Sequence, residues 1–418
     1  MLTREENELI TRVGPGTAMG ELIRRFWVPA CLSEELPQPD CDPIRVRLLG
    51  EDLVALRDEH GRVGLMDEHC PHRGASLFFG RNEEGGLRCL YHGWKMDVDG
   101  NVLDTPCEPA TLHVRHRAYP VVEQGDVVWA YMGPRDKQVP FHNFWWTNLP
   151  GEHRVVGKIN YDCNFVQAIE GAIDTSHGDL LHSGYEKLHW SEEEIRRADS
   201  MRTTAKDTRW EADETNYGFR YAAIRRAPKD PAHSTAVRIT EFAVPFHCIL
   251  PDMPHMFVPA DDGLTWFYDV RTDADKPLDR AAMIARRGTR VGIDVGPDRR
   301  KLRTMANNYM QDRRAMRARE EIWSYSGIAF GKPLQDMAVI ESMGPIYDRT
   351  KEHLGIQDVG VVRMRQRMLD MVRRFEETGE VAELDPSVRF DRVRGYNYVI
   401  PNGASWQQLE SPVAKWSP

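Results

Sequence analysis

The sequence predicts a two-domain protein of the α+β class, in which a small antiparallel β domain precedes a larger domain of helices and antiparallel strands. Three observations support this prediction. The chain has 418 residues, which exceeds the usual length of a single domain. Short alternating runs separated by turn residues begin near residue 44, a pattern typical of β-hairpins. Beyond residue 150, segments with helical spacing stand between longer alternating runs.

The N-terminal residues 1–41 are predicted to form a helical segment that packs on the larger domain. Their stretch TAMGELIRRFWVPA has helical spacing and ends near Pro29. The small β domain is placed at 42–155. Its residues 44–68 resemble three strands joined by Gly-Glu-Asp and His-Gly turns, and the Asp-Gly pair at 99–100 indicates a further hairpin.

The larger domain is placed at 156–418. Its clearest helical spacing is in NFVQAIEGAIDTSHGDLLH, which begins at Asn164. Strands are predicted at 216–227, 235–250 and 264–273, and amphipathic helices at 299–324 and 360–378.

Composition excludes two classes of partner. The formal net charge is −9 and basic residues are dispersed, so the chain lacks the basic stripe of a nucleic-acid-binding protein. No apolar run approaches the ~20 residues that a membrane span needs, and the charged N-terminus lacks the apolar region of a secretory signal. The seven cysteines are odd in number and scattered, which indicates reduced thiols. We therefore expect a cytoplasmic protein.

Two cysteine–histidine pairs lie close together in the predicted β domain. Cys70-x-His72 is followed, after sixteen residues, by Cys89-x-x-His92. Thiolate and neutral imidazole both bind borderline or soft metals, so the four residues predict a metal site. A structural zinc ion is one interpretation, although such sites usually begin with Cys-x-x-Cys. The other is a two-iron, two-sulfide cluster with two cysteines on one iron and two histidines on the other.

The segments CPHRG and CLYHGW resemble the ligand loops of the Rieske family, in the version found in its oxygenases. The resemblance implies a Rieske [2Fe–2S] cluster, with Cys70 and Cys89 on one iron and His72 and His92 on the other. The loops lack the additional cysteines of respiratory Rieske proteins, which implies a lower potential that suits electrons from a nicotinamide.

A second group of candidate ligands lies in the helical segment after residue 164. Glu170, Asp174 and His177 are spaced i, i+4 and i+7, which puts them on one face of a continuous helix. His182 would point ~140° away from His177 on that helix, so the segment must end or bend near Gly178 if both histidines bind one metal. Two histidines and one carboxylate would form the facial triad of non-haem Fe(II) oxygenases.

With this segment included, the chain resembles the large subunits of Rieske non-haem iron oxygenases of the phthalate-dioxygenase and aromatic O-demethylase type. The resemblance implies a helix-grip catalytic domain and a mononuclear Fe(II) bound by His177, His182 and an aspartate further along the chain. Asp336, in PLQDMAVIESMG, is the favoured third ligand, and Asp348 is the alternative. The family's characteristic order of asparagine, glutamate, aspartate and two histidines is matched by Asn164, Glu170, Asp174, His177 and His182.

The same resemblance assigns catalytic roles to Asp174 and Asn164. Asp174 is expected to connect a ligating histidine of the mononuclear iron with a Rieske histidine of a neighbouring subunit. Electron transfer between subunits implies an oligomer, either a homotrimer or a stacked pair of trimers.

The implied function is that of a terminal oxygenase component. No Gly-x-Gly-x-x-Gly follows a predicted strand, so NAD(P)H electrons are expected to arrive through a separate flavin/iron–sulfur reductase. O2 is the co-substrate, and the expected reaction is ring hydroxylation of a phthalate-like aromatic carboxylate. O-demethylation of a methoxylated aromatic acid, lignin-derived or of biphenyl type, is the alternative. Two interpretations of other classes are a Rieske electron-transfer protein without catalysis and a zinc-stabilised binding module.

A carboxylate substrate would be bound by an arginine, because guanidinium pairs with it bidentately. The candidates lie in the predicted sheet of the larger domain, and a solvated surface charge is the alternative for each. They are Arg209, Arg220, Arg225, Arg226 and Arg238.

Overall fold

The computed structural model describes residues 1–183, 208–227, 230–251, 253–318, 325–329 and 331–409. These residues form two compact units. The smaller unit comprises Arg12–Asn143 and Val258–Asp261, and the larger comprises Met1–Thr11, Phe144–Phe257 and Asp262–Pro418 as far as they are described. The predicted domain boundaries at 41/42 and 155/156 stay predictions.

The smaller unit contains three antiparallel sheets, and its topology confirms the hairpins predicted at 44–68 and 99–100. The first sheet pairs β1 (Trp27–Leu32), β11 (Val127–Tyr131) and β10 (Val121–Gln124). The second contains β2 (Ile44–Leu48), β3 (Glu51–Arg57), β4 (Val63–Asp67) and β9 (Ala118–Tyr119). The third contains β5 (Arg81–Glu83), β6 (Gly86–Arg88), β7 (Lys95–Met96) and β8 (Val102–Asp104).

The N-terminal segment is less helical than its spacing predicts. Two short helices form, α1 (Arg4–Thr11) in the larger unit and α2 (Ala18–Ile23) in the smaller. Pro29 does not end a helix but lies inside β1, whose six residues are all buried. The strand register shifts between Pro29 and Cys31, which suits a residue that has no backbone N–H. Burial of this apolar run therefore outweighs its helical spacing.

The larger unit is built on one sheet of eight strands, in the order β12-β18-β17-β16-β15-β14-β13, with β19 paired to β15. Its strands confirm the three strand regions predicted for this domain. They are β12 (Arg154–Tyr161), β13 (Arg209–Thr215), β14 (Gly218–Arg226), β15 (Ser234–Ala243), β16 (His247–Leu250), β17 (Met253–Asp261), β18 (Leu264–Thr272) and β19 (Tyr396–Pro401).

Further helices of the larger unit include the one predicted at 360–378. None of the described helices is both long and apolar enough to cross a bilayer. These helices are α3 (Phe165–Ile173), α4 (Gly178–Leu181), α5 (Arg280–Arg287), α6 (Arg313–Ala318), α7 (Lys332–Glu341) and α8 (Val359–Thr378).

The prediction of a long helix at 299–324 is wrong over its first half. Only α6 is helical in the ordinary sense, while Met305–Met310 forms a 3₁₀ turn with left-handed φ angles of 50°, 53° and 53° at Asn308, Tyr309 and Met310. Tyr309 is buried, and its hydroxyl donates to the buried carboxylate of Glu341 on α7. This tertiary contact overrides the amphipathic pattern. Residues 319–324 of the prediction lie outside the described residues.

Helix α3 is fixed by a buried ion cluster around Glu170. Both carboxylate oxygens of Glu170 accept from Arg349, at 2.7 and 2.9 Å, and Arg365 of α8 donates to Oε1 at 2.6 Å. Arg349 is fully buried and also donates to Asn7 of α1. Glu170 therefore joins three helices and sets the position of the segment that follows α3.

Replacing Glu170 by Gln should lower the free energy of unfolding by about 3–5 kcal/mol at pH 7, because two buried guanidinium groups lose their shared carboxylate. Burial alone would raise the pKa of Glu170, but Arg349 and Arg365 hold it below its ordinary value. The contribution is therefore present above the pKa of an unfolded glutamate, about 4.3, and is lost as the pH falls through the folded value. Denaturant unfolding followed by circular dichroism, at pH 7 and at a series of values below about pH 4, measures both effects.

The matched control is Glu376→Gln on the exposed side of α8, which should change stability by less than about 0.5 kcal/mol. Equal stability of the Glu170→Gln and Glu376→Gln variants at pH 7 would contradict the assignment.

Candidate metal centres

Cys70 and Cys89 begin two loops of the same backbone geometry. In each loop the glycine four residues later donates its N–H to the cysteine carbonyl, Gly74 at 2.9 Å and Gly93 at 3.0 Å. Both glycines have φ of +75°, a left-handed conformation that other residues adopt at a cost. The glycines of the two motifs therefore close the turns that present the cysteines and histidines.

The side chains of these loops come together at one end of the smaller unit's apolar core. Cys70 and Cys89 are buried, and burial together with the neighbouring Cys89 thiol raises the pKa of Cys70 to about 11. The rings of His72 and His92 lie 4.5 Å apart between centroids, and His72 stacks on Trp94 at 4.9 Å. His92 Nδ1 is buried and has no hydrogen-bond partner among the described residues. Two adjacent thiols and an unsatisfied imidazole nitrogen fit a group that supplies positive charge.

A single zinc ion does not fit these four residues. Cysteine and histidine ligands around one tetrahedral zinc lie at most about 3.8 Å from one another, given bond lengths near 2.0–2.3 Å. Within the described part of the chain, the only three residues that bring their ligand atoms within 4.8 Å of one another are His177, His182 and Asp336. The Cys–His group is therefore spread more widely, as two bridged irons require.

His177, His182 and Asp336 form a compact second centre in the larger unit. Asp336 Oδ1 lies 3.3 Å from His177 Nε2 and 3.1 Å from His182 Nε2. The two rings are nearly perpendicular, at 78°, with centroids 5.3 Å apart. Adjacent ligands about 2.1 Å from one octahedral ion are separated by about 3.0 Å, so these distances suit one metal ion bound on one face. The arrangement is that of a facial triad.

The local fold places the two histidines differently from the sequence prediction. Helix α3 ends at Ile173, and Asp174 follows in an extended conformation as its C-cap. Ser176 donates to Asp174 Oδ1 through its N–H at 2.8 Å and its hydroxyl at 2.7 Å. The helix therefore breaks at Asp174 rather than at Gly178, where α4 begins. The expectation of one continuous helix through His177 is wrong, but the expected return of His182 to the side of His177 is confirmed.

The charges at this centre favour a cation. Burial alone would lower the pKa of His177, but hydrogen bonds to Asp174 and Asp336 raise it to about 10. Burial also opposes ionisation of Asp336, yet His182 and His177 hold its pKa far below the ordinary value. Asp174 Oδ2 lies 3.4 Å from His177 Nδ1, and His177 and Ser176 likewise keep the pKa of Asp174 low against the effect of burial. Two carboxylates held as anions beside two imidazoles match a divalent cation.

The remaining predicted residues have structural positions that differ from one another. Asn164 is buried and caps α3, since its Oδ1 accepts from Val166 while its amide donates to the carbonyls of Thr11 and Asp262. Its catalytic role stays a prediction. Asp348 caps a short turn by accepting from Thr350, and its side chain is 39% exposed. It does not belong to the three-residue group.

Gln335 is a residue of this centre that the sequence analysis missed. Its Oε1 lies 2.7 Å from His182 Nδ1. Only its position next to Asp336 could have drawn attention to it, because the contact with His182 spans 153 residues.

Comparisons with known proteins agree with this geometry. Residues 26–127 match the family described as "Rieske [2Fe-2S] domain", and residues 130–417 match "LigXa C-terminal domain like". The chain is 41% identical to the phthalate 4,5-dioxygenase oxygenase subunit of Pseudomonas putida, over 98% of this chain and 95% of the relative. It is 34% identical to the 3-chlorobenzoate-3,4-dioxygenase oxygenase subunit of Comamonas testosteroni, over 97% of each.

A relative with a different reaction in its name is the 5,5'-dehydrodivanillate O-demethylase oxygenase subunit of a Sphingobium species. It is 32% identical over 93% of this chain and 85% of the relative. Among solved structures, dicamba monooxygenase bound to dicamba is similar in fold, with a TM-score of 0.54 and 17% identity over 85% of this chain and 98% of that one.

Replacing Asp336 by Asn should remove the mononuclear metal and leave the [2Fe–2S] cluster in place, because an amide lacks the negative charge with which the Asp336 carboxylate binds the ion. Iron analysis should then fall from about three to about two per chain, with unchanged cluster absorbance. The matched control is Asp348→Asn, which should keep all the iron. If the Asp348 variant loses iron and the Asp336 variant keeps all of its iron, the ligand assignment is wrong.

Proposed function

The chain belongs to the Rieske non-haem iron oxygenases, and on this premise we propose that it is the terminal oxygenase that hydroxylates the ring of an aromatic carboxylate. The observation that carries the proposal is the compact group of His177, His182 and Asp336 in a chain that also has a Rieske domain. An electron-transfer protein with an inert second domain would not need these three convergent ligands. The names of the relatives, all oxygenase subunits, imply a separate reductase as the electron donor.

The two centres have different roles, which are electron transfer and activation of O2. When bound, the cluster relays single electrons and the mononuclear Fe(II) activates O2 next to the substrate. His177, His182 and Asp336 would hold the Fe(II) through three protein ligands, and such a set would leave coordination positions for O2 and substrate. The Asp174 carboxylate lies 3.4 Å from His177 Nδ1, which favours the hydrogen on Nδ1 and leaves Nε2 of this ring to bind the metal.

Asp174 is also suited to the proposed transfer of electrons between subunits. Its side chain is 24% exposed although three groups of its own chain contact it. A carboxylate oxygen can accept more than one hydrogen bond, so an imidazole of another copy can reach it. This supports a homotrimer or a stacked hexamer as the active assembly.

Replacing Asp174 by Asn should leave both metals bound but lower turnover by about 10- to 100-fold, because the amide does not carry the bridging charge. Iron content and steady-state O2 uptake with a surrogate reductase measure the two effects. Ser176→Ala, which removes one donor to Asp174 and keeps the carboxylate, serves as the mild control. Full activity of the Asp174 variant would remove the proposed bridge.

Arg238 is the arginine best placed to bind a substrate carboxylate. It lies opposite Ala223 in the pairing of β14 and β15, and therefore shares a sheet face with Tyr221. The Tyr221 hydroxyl donates to the carbonyl of Ile173 at 2.7 Å and lies 2.8 Å from the Thr175 hydroxyl. These two residues flank Asp174, so the face of Arg238 is the face that meets the mononuclear centre.

The surroundings of Arg238 favour an anionic ligand. Its Nε is buried and has no hydrogen-bond partner in the described part of the chain. Burial lowers the pKa of Arg238, which reflects the cost of a guanidinium that is removed from water. A carboxylate would supply both the missing acceptor and the missing charge.

The other candidate arginines have contacts of a different kind. Arg209 pairs with Glu211 at 2.6 Å, and Arg220 donates to the carbonyl of Leu409 and lies over the Trp406 ring. Arg225 and Arg226 line a cavity of about 470 Å³ beside Trp406.

Replacing Arg238 by Met should raise KM for an aromatic carboxylate by about 10- to 100-fold, which corresponds to the loss of a charge-assisted hydrogen bond of about 1.5–3 kcal/mol. The measurement is O2 uptake on a panel of phthalate-like acids, methoxylated benzoates and uncharged analogues, with product analysis. Ring hydroxylation gives a diol, whereas O-demethylation releases formaldehyde. The matched control is Arg226→Met, at the exposed end of β14.

Formaldehyde as the main product would favour the O-demethylase alternative, which the 32% identical relative supports. Absence of O2 uptake with every aromatic acid, in protein loaded with both metals, would overturn the proposed function.

A further inference from the structure

Gln335 is buried completely and uses both ends of its amide. Its Oε1 lies 2.7 Å from His182 Nδ1, and its Nε2 donates to the carbonyl of Ile328 at 2.7 Å. From this arrangement we infer that Gln335 is a positioning residue, which fixes the tautomer and ring orientation of His182 for iron binding. The inference rests on the proposed iron site and concerns a residue outside its three ligands.

The direction of each hydrogen bond follows from the chemistry of the partners. The Ile328 carbonyl can only accept, so the amide NH2 of Gln335 must face it. The oxygen of the same amide then faces His182, where it can only accept. His182 Nδ1 must therefore carry the hydrogen, and its Nε2 keeps the lone pair.

That lone pair lies on the atom that faces the centre. His182 Nε2 is 3.1 Å from Asp336 Oδ1, within the spacing expected for two ligands of one ion. Gln335 and Asp336 are neighbours on α7, so one turn of this helix supplies both a ligand and the group that prepares another ligand. A backbone carbonyl at Ile328 is thus coupled to the metal through two hydrogen bonds.

The two histidines are held by different kinds of acceptor. His177 Nδ1 faces the carboxylate of Asp174 at 3.4 Å, whereas His182 Nδ1 faces a neutral amide. Gln335 has no exposed surface, so water has no ready access to replace it. Removal of the acceptor would leave a buried N–H without a partner, which favours the other tautomer or a rotated ring.

The test compares Gln335→Leu with wild type as purified full-length protein that retains its cluster but has been stripped of the mononuclear iron. Titration with ferrous iron should show affinity about 10- to 100-fold weaker in the variant. The electron paramagnetic resonance signal of the ferrous nitric oxide adduct should change in rhombicity, while the cluster signal stays the same. Gln335→Glu, which keeps an oxygen acceptor opposite His182 Nδ1, should retain more of the affinity than Gln335→Leu at the same pH.

Gln167→Leu is the matched control. Gln167 is also a buried glutamine, but within the described residues its amide bonds only to backbone groups of Ile340, Gly344 and Tyr347. Its loss should lower thermal stability without a comparable loss of iron affinity. Equal weakening in the Gln167 and Gln335 variants, or an unchanged nitric oxide adduct in Gln335→Leu, would overturn the inference. Failure of the wild-type protein to take up ferrous iron would instead overturn the proposed function.

Discussion

The contact of Asp336 with two imidazoles is the interaction on which the larger unit depends. The carboxylate belongs to α7 and the histidines to the two ends of α4, more than 150 residues earlier. Bringing three ligand atoms within 4.8 Å of one another costs free energy, because the carboxylate loses its hydration and the imidazole side chains lose conformational freedom. The rest of the unit must therefore hold two separate segments in place before any metal binds.

Buried ion pairs fix both segments, one at α3 and the other at the end of α7. Glu170 fixes α3 through Arg349 and Arg365. At the end of α7, Glu341 is paired with the fully buried Lys301 at 3.0 Å and accepts from the Tyr309 hydroxyl. Removing one partner of such a cluster is costly, whereas the complete cluster specifies one arrangement of its elements. The left-handed residues around Tyr309 persist because this contact requires them.

The two centres differ in how far the sequence could predict them. The cluster loops are local: cysteine, histidine and glycine stand within five residues, and the turn geometry follows from the glycines. The mononuclear centre is assembled from distant segments, and the preference for Asp336 over Asp348 rests on a family resemblance and on the charged character of the segment that begins at Asp348, not on spacing. The sheet was predictable because its strands alternate over several residues.

Two of the failures have a common physical cause, since the irregular segment before α6 and the role of Gln335 depend on hydrogen bonds to groups far away in the chain. The break at Asp174 is local, because Ser176 donates to its carboxylate in a turn that ends the helix. The sequence predicts a helix end at Pro29 because the strand that contains it is entirely buried and so lacks alternation. Sequence patterns report the local preference, and these residues follow the tertiary contact instead.

The break between α3 and α4 also limits how this centre could be transplanted. On an ideal helix, residues five apart point about 140° from one another, and residues four apart about 40°. A designer who grafts His177 and His182 onto a straight helical scaffold must therefore shorten their separation by one residue.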